Sequence, residues 1–240
     1  MTSGEQQHIV KSFDIELGKL EDALARMGGL AEAQLSAAIE ALETRDSDLA
    51  ERVMRSDGKV DECQTFIDEQ TLKVLALRAP VADDLRTVLG ALKMAAELER
   101  VADLATNAAK RSLVLNQLPP VAPMRSLIRL GRLAQAMVKD VVDAYLEHDS
   151  TQALEVRERD QELDDVYSSL FREILTYMME DPRTITPCSH LMFIAKNLER
   201  VGDHATNVAE LAYFRVTGKA VAEERTKKDV SSFEGAKPQD

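Results

Sequence analysis

Apolar residues recur along this chain in steps of three and four. Ile194, Leu198, Val201, Ala205, Val208 and Ala212 advance by 4, 3, 4, 3 and 4, which lines one face of an α-helix turned toward a core. Met94, Leu98, Val101, Ala105 and Ala108 do the same, and Val53, Val60, Ile67 and Val74 keep heptad spacing. Prolines at 80, 119, 120, 123, 182, 187 and 238 bound long stretches that contain none. A proline inside a helix costs about 3 kcal/mol, so these positions mark ends. The pattern predicts six helices, roughly 8–44, 47–78, 81–116, 123–147, 150–179 and 187–217. Asp46-Ser47 and Asp149-Ser150 supply N-caps, and Thr186 before Pro187 reads as a cap followed by proline at the first helical position. Residues 219–240 read as a flexible polar tail.

Composition narrows the class to all-α. Glycine and proline together number only 17 of 240 residues, aromatics make up 4 %, and there is no Trp. A β-sandwich or barrel needs more turns and more aromatic or β-branched residues. The net charge of −12 argues against nucleic acid or an anionic membrane as a direct partner. The one basic cluster, Arg225-Thr226-Lys227-Lys228, falls in the polar tail. No secretory leader and no membrane-length apolar run is visible, and Cys63 and Cys188 read as reduced packing groups, so a cytoplasmic protein is expected. Proteins and cations remain as partners.

Internal similarity organises the chain. Leu98-Glu-Arg-Val-Ala-Asp-Leu-Ala-Thr-Asn107 returns as Leu198-Glu-Arg-Val-Gly-Asp-His-Ala-Thr-Asn207, displaced by 100. Upstream the displacement is 103: Asp46-Ser47 matches Asp149-Ser150, Val53 matches Val156, Asp57 matches Asp160, and Val60-Asp61 matches Leu163-Asp164. Each half carries three helices in the same order. The expected organisation is a first three-helix repeat over 1–118, a second over 119–218, and the tail over 219–240.

Acidic residues stand out within the repeats. Glu99 and Asp103 lie four apart, as do Glu199 and Asp203, and the preceding helix carries Asp57 with Asp61 and Asp160 with Asp164. Residues four apart share a helical face. When helix two folds back on helix three, residues with a common midpoint stand level. Asp61 with Glu99 and Asp57 with Asp103 share midpoint 80, at Pro80, while the second-half pairs share 181.5, between Asp181 and Pro182. The turns therefore bring four carboxylates level in each half. An oxygen-only donor set suits hard cations such as Mg²⁺, Ca²⁺, Mn²⁺ or oxidised iron, and bridging carboxylates allow more than one ion. The other reading is a solvated or salt-bridged face, with Arg100 and Arg200 neutralising Asp103 and Asp203. Because each acid follows the apolar stripe, both clusters are expected on a bundle shoulder open to solvent. His204 has Leu104 as its counterpart and is not expected to be a general ligand, whereas Asn107 and Asn207 read as interhelix polar contacts.

The chain has no nucleotide-binding glycine loop, no Gly-x-Ser-x-Gly elbow and no Glu-x-x-His at these sites, and His8, His148, His190 and His204 are scattered. Catalysis is not expected. The doubled Leu-Glu-Arg-Val-Ala/Gly-Asp-x-Ala-Thr-Asn, with Met27-Gly-Gly and Tyr177-Met-Met-Glu-Asp-Pro-Arg-Thr-Ile185, resembles the PhoU family of phosphate-transport accessory proteins over about 8–217. The resemblance implies two three-helix bundles related by a pseudo-twofold axis. It also implies multinuclear metal clusters (iron or zinc, with manganese or magnesium as other occupants) on Asp57, Asp61, Glu99 and Asp103 and on Asp160, Asp164, Glu199 and Asp203. The implied role is non-enzymatic. Such a protein couples a phosphate ABC transporter ATPase to a sensor histidine kinase, represses the phosphate-starvation regulon, and forms a homodimer. The alternative is a helical metal- or phosphate-binding scaffold without a signalling partner.

Overall fold

The computed structural model describes residues 3–222. Helix α1 spans Ser3–Thr44, α2 Ser47–Ser56, α3 Gly58–Arg78, α4 Ala82–Leu115, α5 Met124–Glu147, α6 Ser150–Glu180 and α7 Ile185–Thr217, with a short 3-10 turn at Pro182–Thr184. Among the described residues there is no strand. Of the tail expected over 219–240, residues 223–240 lie outside the described residues.

Helix ends follow the local chemistry. Asp46 accepts from the Leu49 N–H at 2.9 Å, and Asp149 accepts from the N–H groups of Thr151 and Gln152. Immediately before each cap the chain reverses through a left-handed residue, Arg45 and then His148, both at φ +57°. That conformation is uncommon outside glycine. Arg45 is held there because its guanidinium donates to the carbonyls of Leu115, Asn116 and Leu118 at the end of α4.

Helix α1 begins at Ser3 rather than near residue 8, and two further features differ from the sequence reading. The helix expected over 47–78 is interrupted at Asp57, whose φ of −51° and ψ of −50° nevertheless remain helical. Gly58 follows, and glycine weakens a helix interior by about 1 kcal/mol relative to alanine. The second half has Gln161 at the matching position, and α6 runs unbroken. Helix α7 begins at Ile185 rather than Pro187. Pro187 is its third residue, where an N–H has no intrahelical partner to lose.

Six helical rods, with α2 and α3 counted as one, thus form two three-helix units. They share a single hydrophobic core containing residues of both halves. Helix α1 packs on α5, and α4 packs on α7. The pseudo-twofold relation is visible in one reciprocal contact. A Cβ on Gly28 would stand 2.6 Å from Val142, and one on Gly131 would stand 3.0 Å from Ile39. Both the glycines and the branched residues are related by the displacement of 103, so each half seats a branched side chain in the other's glycine notch.

Candidate functional site

In the first half, α3 and α4 form an antiparallel hairpin. Asp57 is fixed from two directions: its Oδ1 accepts from Gln34 Nε2 of α1 and from Thr106 Oγ1 of α4, each at 2.9 Å. Gln34 Nε2 also donates to Thr106 Oγ1 at 2.6 Å and to the Ala102 carbonyl at 3.2 Å. On the outer side, Arg100 lies 3.3 Å from Glu99 and 3.5 Å from Asp103. The Asp61 carboxyl is raised from its ordinary value, by desolvation first and then by the charges of Asp57 and Asp103. Glu99 is raised by burial and by Asp103, Asp61 and Asp57, against the opposing effect of Arg100. The charges of Asp57, Asp61 and Asp103 thus all act on Glu99, and those of Asp57 and Asp103 act on Asp61.

The second half repeats the anchor but changes the surroundings. Thr206 Oγ1 lies 3.3 Å from Asp160 Oδ1, duplicating the Thr106–Asp57 contact. Lys196 Nζ stands 2.9 Å from Glu199 Oε2 and 5.3 Å above the Tyr167 ring. Asp160, Asp164 and Glu199 are only 5 %, 4 % and 3 % exposed, and Asp203 is half-buried. The expectation of a solvent-open shoulder is met in part by the first cluster, where Asp61 is exposed and Asp57, Glu99 and Asp103 are half-buried, and fails for the second. The covering residues explain the difference: Leu163, Tyr167 and Lys196 occupy positions held in the first half by the smaller Val60, Gln64 and Ala96.

Oxygen donors and mutual repulsion that the exposed Arg100 offsets only in part make the first cluster chemically suited to a hard cation. Arg100 is its only cationic neighbour among the described ion pairs, and that side chain is 59 % exposed. The second cluster already has an ammonium group against its most buried acid. Among the described residues no group of three or more His, Cys, Asp or Glu side chains is arranged so that it could hold a metal ion. The acids would have to turn toward a common centre to ligate one.

Several participants were not singled out in the sequence. Thr106 and Thr206 lie within the repeated motif, so their recurrence was the available signal. Gln34 left none, because its counterpart in the second half is Met137. His204 binds across the halves: its Nδ1 is 2.7 Å from Glu97 Oε2, which also accepts from Asn207 Nδ2 at 3.0 Å. Burial pushes Glu97 up, but the hydrogen bonds from His204 and Asn207 outweigh it and hold the carboxyl low. Asn207 is thus an interhelix contact. Cys63 and Cys188 are both buried free thiols.

Two duplicated three-helix units, interlocked about a pseudo-twofold axis and each carrying carboxylates on its second and third helices, define a class of all-helical tandem-repeat protein. The family model described as "PhoU domain" matches residues 24–112 and again 127–212. The chain belongs to the PhoU family. It is 47 % identical over 227 residues to the phosphate-specific transport system accessory protein PhoU homolog of Caulobacter vibrioides strain NA1000, covering 94 % of this chain and 99 % of that one. It is 37 % identical over 212 residues to the phosphate-specific transport system accessory protein PhoU of Escherichia coli K12, covering 88 % of each. The crystal structure of PhoU from Pseudomonas aeruginosa superposes with a TM-score of 0.84 at 36 % identity, covering 86 % of this chain and 100 % of that one. The phosphate transport system regulatory protein PhoU from Streptococcus pneumoniae gives 0.80 at 30 % identity, covering 88 % and 100 %.

Proposed function

We propose that this chain is a non-enzymatic accessory protein of a phosphate ABC transporter. It contacts the transporter's ATPase subunit and a sensor histidine kinase on the cytoplasmic side of the membrane, and it represses the phosphate-starvation regulon when phosphate is ample. The observation that carries this reading is similarity along nearly the whole chain to proteins named as accessory to phosphate-specific transport. Among the described residues no helix is long and apolar enough to cross a membrane, which is in keeping with a membrane reached through partners. Deleting the gene should raise a phosphate-responsive reporter in ample phosphate, and the purified chain should retain both the ATPase and the kinase's cytoplasmic domain. An unchanged reporter with neither partner retained overturns the reading.

The carboxylates of the first half, Asp57, Asp61, Glu99 and Asp103, are the better candidate cation site, because their repulsion is not offset by a buried positive group. A bound cation would supply that charge and tie α3 to α4. Thermal unfolding with chelator, then with Fe³⁺, Mn²⁺, Zn²⁺ or Mg²⁺, should show a metal-specific rise. At 100 times Kd the gain is about 2.7 kcal/mol. It should disappear in Glu99→Ala/Asp103→Ala; a rise that survives that variant places the cation elsewhere. Cation binding without either protein partner would instead support a metal-binding scaffold with no signalling role.

A further inference from the structure

The duplication leaves one interhelical groove open where its counterpart is bridged. Between α1 and α2 runs a groove of about 480 Å³ lined by the apolar side chains of Leu30, Ala37, Leu49 and Val53. Ser56 lines it too. Displaced by 103, Ala37 becomes Asp140 and Ser56 becomes Arg159. In the second half those two side chains meet: Arg159 Nη1 donates to Asp140 Oδ2 between α6 and α5. The same gap is therefore crossed by an ion pair in one half and lined with small side chains in the other. The edges diverge as well. Arg52, Arg55 and Lys59 border the open groove, and all three are exposed. At the matching positions the second half has Glu155, Glu158 and Glu162. Arg55 reaches Glu51 at 3.1 Å and Arg52 approaches Asp46 at 3.9 Å, but both are exposed pairs, which contribute little.

We propose that this groove takes an acidic amphipathic helix from a partner protein. The partner's apolar stripe lies on Leu30, Leu49 and Val53, and the carboxylates beside that stripe meet Arg52, Arg55 and Lys59. Spacing, length and charge select this occupant. The three cations step by three and four, so they form one row that a row of acids on a second helix can match. From Leu49 to Lys59 the wall measures about 15 Å at 1.5 Å per residue, room for roughly three turns of a second helix. A net charge of −12 repels extended polyanions such as nucleic acid or an anionic bilayer. A short acidic segment meets chiefly the charges within a Debye length, and along this edge those include three cations. The inference stands apart from the regulatory reading, since peptide binding is measured without transporter or kinase.

Selection of random displayed peptides, about four helical turns long, on the immobilised full chain tests it. The recovered peptides should carry apolar residues at helical spacing with acids beside them, and they should gain helicity on binding. R52E/R55E/K59E should weaken the tightest of them about tenfold or more. That variant also makes the whole chain more acidic, so A37D/S56R is the sharper one. It copies the Asp140–Arg159 pair into the groove, leaves the net charge at −12, and should abolish binding. Arg52, Arg55 and Lys59 are exposed and Ala37 and Ser56 half-buried, so circular dichroism should show both variants folded. Recovered peptides without acids, or peptides that bind A37D/S56R as tightly as the wild type, would overturn the proposal. Adsorption to phosphatidylserine vesicles by the wild type but not by A37D/S56R would overturn it as well, making the ligand a lipid headgroup.

Discussion

The two halves of this molecule share one plan and treat its acids in opposite ways. In the first half Asp61 is exposed and Asp57, Glu99 and Asp103 are half-buried, Asp61 and Glu99 are raised by their acidic neighbours, and the neighbouring cation is the exposed Arg100. In the second half three of the four are buried and a lysine of the same helix is drawn down onto Glu199. The backbone scaffold, the threonine anchor and the capping aspartates are common to both. What differs is the set of side chains one turn away, and those decide whether an acidic cluster is an open site or part of the packing. A duplicated motif is therefore not a duplicated environment.

The sharpest way to break that contrast is at Lys196. Lys196→Met leaves Glu199 buried beside an apolar neighbour. Loss of one partner of a buried ion pair costs roughly 3–5 kcal/mol, and because the Lys196 side chain is 44 % exposed the expected loss is nearer 2 kcal/mol. Urea unfolding measures it, and K196M/E199L should lose less than K196M alone. The counterpart change, Arg100→Met, should cost no more than a few tenths of a kcal/mol. Equal losses in the two halves would remove the distinction.

A smaller effect is expected where the halves exchange volume. A Cβ at Gly202 would collide with Leu163, whereas the first half pairs Ala102 with Val60. Gly202→Ala alone should cost about 1–2 kcal/mol by overpacking, and G202A/L163V, which copies the first half, should recover most of it. An additive double variant would mean that the two positions do not compensate. Gln34→Met, copying Met137 of the second half, should then cost about 1 kcal/mol, because Asp57, Thr106 and the Ala102 carbonyl lose a donor. An unchanged denaturation midpoint would show that Gln34 does not hold Asp57 in place.

The smallest effect depends on pH. Asp61 and Glu99 are raised in the folded chain, so the native state keeps protons that the unfolded state has released. Their contribution to stability falls as pH rises through the window just above the ordinary carboxylate values of 3.8 and 4.5. Asp61→Asn should stabilise the protein by a few tenths of a kcal/mol at pH 7 and lose that advantage below about pH 4. A gain of the same size at pH 3 would trace it to something other than repulsion.

The architecture was legible because helical periodicity, breakers and repetition are all written along one chain. Asp46 and Asp149 cap as their residue types suggest, and the shared midpoint at Pro80 put Asp61 level with Glu99, whose carboxyl its charge raises. The burial of Asp160, Asp164 and Glu199 was not legible. Glu99 and Glu199 follow the same apolar stripe; Lys196 against Ala96 was visible one turn before Glu199, but the covering neighbours across the hairpin, such as Tyr167 against Gln64, were not. Gln34 escaped for a related reason: its role depends on where α1 crosses α3 and α4. Periodicity within a helix does not record that register.

The glycine notches that lock the halves together set an order of events during synthesis. Ile39 finds its seat only when Gly131, 92 residues later by numbering, has left the ribosome. At about 5–20 residues per second, that is a delay of roughly 5–20 s. Through that interval the α1 face that will meet α5 has nothing to cover it. A chain halted near the Pro119-Pro120 link would present this face permanently, so truncated products should be taken up by chaperones and proteases instead of persisting as free half-molecules.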